Sequence, residues 1–335
     1  MILYPNSGKG KTMISFKNNH MLAQAREARF QPKLIIQILL FLAVYMVGSA
    51  VASIFITIPM MIGIFTDEAL LAAITSGDVE ASISASLSAS MAVMEKPWIM
   101  LISLFITAAT TLCCFLYCRK IERRSWASMG FQKQGWLLRY LRGYAIGTVM
   151  LLLCALILWL MGDLDFAFAK KIPVLYIMAF FVGFLIQGMS EEVLVRGYFM
   201  VSLSNRCHTA IAVGISSVVF ALLHLGNSGI SLLAMLNLTL FGVFMAVYIL
   251  RTDDILGACA IHSAWNFTQG NLVGIRVSGM TQLPTVAIMN PIGENALFHG
   301  GNFGLEGGLI VTIMLTIVIA LTVFLPQKAK NPQNV

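Results

Sequence analysis

The chain has 335 residues, 58% of them hydrophobic and 11% charged, with a net charge of +7. Soluble globular domains carry about 25% charged residues, so this composition excludes an ordinary soluble enzyme and points to an integral membrane protein. The positive charge does not call for nucleic acid, because lysine and arginine gather in segments that flank apolar runs, as cytoplasmic connections do.

Residues 1–33 read as a basic cytoplasmic tail carrying Lys9, Lys11, Lys17, Arg26, Arg29 and Lys33, with His20 assigned no role. The stretch GKGKT at 8–12 hints at a phosphate loop, but the earlier glycine that such a loop needs falls at Pro5 and no strand precedes it. The tail also lacks the short apolar core and small-residue cleavage site of a signal peptide.

A helix needs about 20 mostly apolar residues to cross a bilayer. Eight candidate spans follow, at 34–65, 98–117, 144–161, 174–200, 210–223, 231–250, 256–267 and 308–325. The first is long enough to tilt or to break near Pro59, and the fifth and seventh are short enough to be buried or half-crossing helices. Within the N-terminal membrane region, 34–173, residues 66–97 are acidic (Asp67, Glu68, Asp78, Glu80, Glu95) and read as an extracytoplasmic loop. Its Ser/Ala-rich part, 76–91, reads as loop or surface-lying chain. Residues 118–143 carry Arg119, Lys120, Arg123, Arg124, Lys133, Arg139 and Arg142 and read as a cytoplasmic loop. Residues 174–270 form the candidate catalytic core. Residues 271–307, with His299 among glycines, read as a loop, and 308–335 as a last span with a short cytoplasmic tail holding Lys328 and Lys330. The expected fold is an all-α polytopic membrane bundle of about eight transmembrane helices. The six cysteines show no paired C-x-x-C spacing and read as small buried side chains, giving neither a disulfide framework nor a thiolate metal site.

The polar residues inside apolar runs carry the functional signal, since an ionisable group within a membrane is costly and is functional by default. Residues 190–199 read SEEVLVRGYF. On a helix Glu192 and Arg196 stand roughly 40° apart, the spacing of an ion pair, whereas Glu191 lies about 100° from Glu192 and about 140° from Arg196. This assigns Glu192 and Arg196 to a structural pair and leaves Glu191 for chemistry. The competing reading is that all three are solvated at the cytoplasmic end of a helix. Phe220 and His224 share one helical face, as do His262 and Asn266. His208, in a short polar turn, is assigned no role. One carboxylate, two imidazoles and an amide suffice for hydrolysis. A glutamate can take a proton from water, a histidine can position that water and protonate the leaving amine, and the remaining donors can stabilise an oxyanion.

In that order, E-E-x-x-x-R, F-x-x-x-H and H-x-x-x-N resemble the motifs of the CAAX protease and bacteriocin-processing (CPBP, or Abi) family of intramembrane endopeptidases. The resemblance covers about 174–267. It implies a helical fold with a catalytic cavity inside the bilayer, Glu191 and His224 activating water, and His262 with Asn266 as the oxyanion site. Members act on prenylated C-a-a-X tails or on bacteriocin-related and other membrane peptides, so the expected partner is a hydrophobic or lipidated peptide, together with the lipid bilayer. The expected location is a bacterial plasma membrane with both termini cytoplasmic. No metal is assigned. Were zinc bound, Glu191, His224 and His262 would be its ligands, although H-E-x-x-H is absent. The alternatives are a proton-coupled transporter, against which the lack of an internal repeat counts, and a non-proteolytic immunity or binding protein.

Overall fold

The computed structural model describes residues 19–293 and 296–324. The GKGKT stretch and Lys9, Lys11, Lys17, Lys328 and Lys330 lie outside the described residues.

The protein is a helical membrane bundle. Among the described residues five helices are long and apolar enough to cross a bilayer, spanning Leu34–Phe65, Pro97–Ile121, Trp136–Leu160, Val174–Ser204 and Leu232–Thr252. The segments expected at 210–223, 256–267 and 308–325 form shorter helices, Thr209–Leu222, Ile255–Phe267 and Leu309–Phe324. At about 1.5 Å per residue these fall short of the hydrocarbon thickness unless packed within the bundle.

The first four helices lie at the N-terminal end of the described residues. Helix α1 (His20–Ala25) is part of the expected tail, yet Met21, Leu22 and Ala25 are buried. Asn19 Nδ2 ties it to the Leu250 carbonyl at 2.8 Å. Helix α2 (Leu34–Phe65) runs unbroken through Pro59, and its 32 residues, about 48 Å, require tilt. The connection expected as an extracytoplasmic loop at 66–97 is instead α3 (Glu68–Ser76) and α4 (Val79–Met94). Its sequence is rich in Ala, the strongest helix former. Asp67 and Asp78 accept from the Leu70 and Ala81 amides as N-caps, and Gly77 at φ 75° separates the two helices.

Helix α5 (Pro97–Leu116) passes into a π-helical turn, Tyr117–Ile121. Helix α6 (Trp136–Leu160) starts earlier than the expected span, so Arg139 and Arg142 stand on a helix rather than in a loop. Helix α7 (Val174–Glu192) continues as a π-helix, Val193–Met200, and then as α8 (Val201–Ser204). Helices α9 (Thr209–Leu222), α10 (Leu232–Thr252) and α11 (Ile255–Phe267) follow. After them an irregular segment runs to α12 (Ala296–His299) and α13 (Leu309–Phe324). Part of that segment is ordered against the other long connection, where β1 (Ala167–Phe168) pairs antiparallel with β2 (Ala287–Ile288).

Helix α11 is the axis of the bundle, buried at every residue but Leu256. Its close approach to α6 depends on small residues, since a Cβ on Gly143 or Gly147 would overlap the Gly257 or Ile261 carbonyl. Gly188 of α7 meets Ser263 in the same way. Asp254 N-caps α11 by accepting from Leu256 and Gly257 and pairs with Arg139 at 3.4 Å. Most of the remaining apolar side chains face outward, including Ile54, Phe55 and Ile58 of α2. That is the surface a bilayer covers.

Candidate active site

Adjacent glutamates at the end of α7 diverge as helical geometry requires. Glu192 is fully buried, and its Oε1 accepts from Arg196 Nη1 at 3.1 Å and from His262 Nδ1 at 2.8 Å. Arg196, also fully buried, lies with Cζ 4.3 Å from the centroid of the Phe220 ring. The ring face takes part of the charge for which Nε and Nη2 find no hydrogen-bond partner. The ion pair expected from spacing is therefore present, and it includes a third member on another helix.

Glu191 is different. Its side chain is 28% exposed where that of Glu192 is 0%. Oε1 accepts from Gln187 Nε2, one turn earlier on α7, while Oε2 has no hydrogen-bond partner and lies 3.7 Å from His262 Nε2. The His262 ring thus stands between the two carboxylates, with one nitrogen toward each. Phe241, 5.1 Å away and edge-on, packs against it.

His224 follows α9 at its C-terminal end, where its Nδ1 meets the Phe220 carbonyl at 2.8 Å. A carbonyl can only accept, so Nδ1 carries the proton and Nε2 keeps its lone pair. Asn266 Nδ2 donates to Gln187 Oε1 at 3.0 Å, so Gln187 links Asn266 to Glu191.

Two cavities, of about 250 and 360 Å³, meet at this cluster and share Ser103, Thr107, Glu191, Phe220, His224 and Asn227. The smaller is also lined by His262, Asn266, Trp265, Asn237 and Glu306. The larger opens between α2, α5 and α7, past Tyr45, Ser49 and Ser53. Glu192 and Arg196 line neither. The structure therefore gathers Glu191, His224, His262 and Asn266 at one cavity wall, with Glu192 and Arg196 behind them and Phe220 between.

Sequence reasoning missed Gln187, Asn227, Asn237 and Glu306. Gln187 had a local signal, an amide inside an apolar run one helical turn before Glu191. Asn227 lies in the GNSG break, and Glu306 among glycines, where polar residues are unremarkable. Outside the spans, burial pushes the Glu306 carboxyl up from its ordinary value, and hydrogen bonds from Gln269 and Ser278 draw it partly back.

A zinc site would need three of these donors on one point. Among the described residues no group of three or more His, Cys, Asp or Glu side chains is arranged to hold a metal ion. Nδ1 of His262 and Nδ1 of His224 are engaged by a carboxylate and a carbonyl, which leaves Nε2 as the nitrogen each ring offers the cavity. No step below is routed through a metal.

The structure thus holds a Glu/His cluster reached by cavities inside a helical membrane bundle, an arrangement that can serve hydrolysis. Residues 173–268 match the family model described as type II CAAX prenyl endopeptidase Rce1-like. The matched segment holds all three motifs and every residue of the cluster named from them, so the resemblance read from those motifs stands for this core. That segment, under a third of the chain, is similar to CAAX-type prenyl endopeptidases. Comparisons with curated proteins and with solved structures found no significant match.

Proposed function

We propose that the protein is an intramembrane endopeptidase that hydrolyses a hydrophobic or lipidated peptide, with Glu191 as the general base. The carrying observation is the contrast between neighbours: Glu192 is enclosed and spent on Arg196 and His262, while Glu191 is part-exposed, lines both cavities and has an Oε2 without a hydrogen-bond partner.

In this reading a water at the junction gives a proton to Glu191 Oε2 and is oriented by the lone pair of His224 Nε2. Its oxygen attacks the scissile carbonyl, and the oxyanion accepts from Asn266, whose amide has a second N–H beyond the one given to Gln187. His262 donates from Nε2 when doubly protonated, and the Glu192 carboxylate on Nδ1 supplies the counter-charge for that form. The proton on Glu191 then passes to the leaving amine. Basic segments on one side and the acidic α3–α4 region on the other support cytoplasmic termini.

The test is cleavage of hydrophobic and prenylated peptides by the detergent-purified protein, with products read by mass spectrometry. Wild type should cut and Glu191→Gln, equally folded, should not. Cleavage that survives Glu191→Gln and disappears in Glu192→Gln alone would reverse the assignment. Proton-driven flux without peptide product would favour transport.

A further inference from the structure

Outside the family-matched segment, one side chain reaches the smaller cavity with a charge that the fold leaves uncompensated. Glu306 lies in the short 3-10 turn before α13 and is 7% exposed. Its position is built rather than incidental. Asn237 Nδ2 donates to the carbonyls of Glu306 and Gly308, both at 2.8 Å, and Thr312 Oγ1 donates to Asn237 Oδ1 at 2.6 Å. Gly304, at φ 102°, lets this strap pass directly over the Arg276 carbonyl, where any Cβ would overlap it.

The carboxyl itself accepts from Gln269 Nε2 and from Ser278 Oγ. Both donors are neutral, and among the described residues no lysine, arginine or histidine pairs with Glu306. Each donor meets a different carboxylate oxygen, so the carboxyl is fixed in place by two neutral groups. The carboxyl is thus hydrogen-bonded but has no cationic partner among the described residues. It faces a cavity whose lining contains two carboxylates, Glu191 and Glu306, and no lysine or arginine. Arg196, the nearest guanidinium to the cluster, lies behind the wall and is engaged by Glu192 and Phe220.

We propose that Glu306 is a substrate-recognition residue whose carboxylate accepts the basic side chain, Lys or Arg, of the peptide seated in the cavity. The inference rests on the peptidase reading and adds a preference to it. A desolvated carboxylate held on two fixed hydrogen bonds is preorganised for a cation, and the pair gains strength because water is excluded around it. The apolar lining, Leu104, Phe184, Leu238 and Val277 among others, takes the rest of the peptide.

The test uses the full chain in detergent and a hydrophobic peptide series identical except for one position carrying Lys, Arg, norleucine or Glu, with that position moved along the peptide. Wild type should cleave the basic peptides with kcat/KM at least about tenfold above norleucine, and the Glu peptide least. Glu306→Gln should bring the ratio of basic-peptide to norleucine kcat/KM down to about one. Equal rates across the series in wild type, or a basic preference that survives Glu306→Gln, overturns the proposal. The wild-type series alone decides if the variant does not fold. If wild type cleaves nothing, the peptidase reading fails, and binding of the same fluorescently labelled peptides decides the recognition proposal. Tighter binding of basic peptides, lost in Glu306→Gln, upholds it, while equal or absent binding refutes it.

Discussion

Removing Arg196 tests whether Glu192 is held by a buried counter-charge or merely buried. In Arg196→Ala the Glu192 carboxylate keeps His262 Nδ1 at 2.8 Å but loses the guanidinium at 3.1 Å, and its second oxygen already lacks a partner. Breaking a fully buried ion pair at one end typically costs about 3–5 kcal/mol, because the remaining charge stays desolvated. The contact of Arg196 with the Phe220 ring adds to this without being separable from it. Chains of 150–250 residues lose about 2–4 °C in melting temperature per kcal/mol, and this longer one falls toward the low end, so a drop of about 6–10 °C is expected. The control removes both charges. Glu192→Gln with Arg196→Met keeps volume, leaves an amide oxygen for His262, and should recover at least half of the loss, as neutral replacement of a whole buried pair does. The assay is thermal unfolding of the detergent-solubilised variants. A single variant that melts with wild type, or a double variant no better than the single, would refute the reasoning.

Three other perturbations separate packing from chemistry. Gln187→Leu strips Glu191 Oε1 and Asn266 Nδ2 of their shared partner, and kcat should fall on the order of tenfold to a hundredfold with a smaller change in KM; a change confined to KM would count against the positioning role. Gly147→Ala forces a Cβ into the Ile261 carbonyl and should cost about 1–3 kcal/mol of stability, visible as reduced yield and earlier melting, whereas unchanged melting would deny the close α6–α11 contact. Burial holds the Glu122 carboxyl above its ordinary value of 4.5, against the opposing pull of Arg124. A raised folded-state value means that the native state binds the proton more tightly, so its contribution is complete below the unfolded value and is lost as pH rises through the folded one. Melting temperature should therefore rise on acidification toward pH 5, and Glu122→Gln should flatten that rise.

What the sequence could disclose follows from the range of its signals. Helical spacing alone separated Glu191 from the Glu192–Arg196 pair, because residues on one helix have fixed angular relations. The same arithmetic is blind across helices. It could not show that Glu192 also reaches His262, seventy positions away, or that Gln187 joins α7 to α11 through Asn266. Hydropathy found every long span but misread 66–97, where acidic caps and alternating serines look like loop and yet form two helices. It was equally silent on the π-helix at Val193–Met200, whose backbone departure leaves no mark in composition. That departure follows directly on Glu192 and still leaves Arg196 within 3.1 Å.

The cross-helix contact changes what the structural pair means. Glu192 and Glu191 are neighbours on one helix, and His262 receives one of them at each nitrogen, Nδ1 at 2.8 Å and Nε2 at 3.7 Å. A ring addressed in this way reports the state of both carboxylates. When Glu192 is ionised, Nδ1 keeps its proton, and whatever proton Nε2 carries is exchanged on the side where Glu191 and the cavity lie. Arg196 is paired with Glu192, which in turn meets His262, so the arginine acts on the cavity at one remove, through a carboxylate and an imidazole. On this argument the pair cannot be purely structural. Glu192→Gln would keep the hydrogen bond to His262 and remove the charge that lets the ring donate at Nε2, lowering turnover in a protein that still folds. Arg196→Ala would lower stability first. The two halves of one ion pair then differ in their signature, and the difference arises from the third group that only one of them touches.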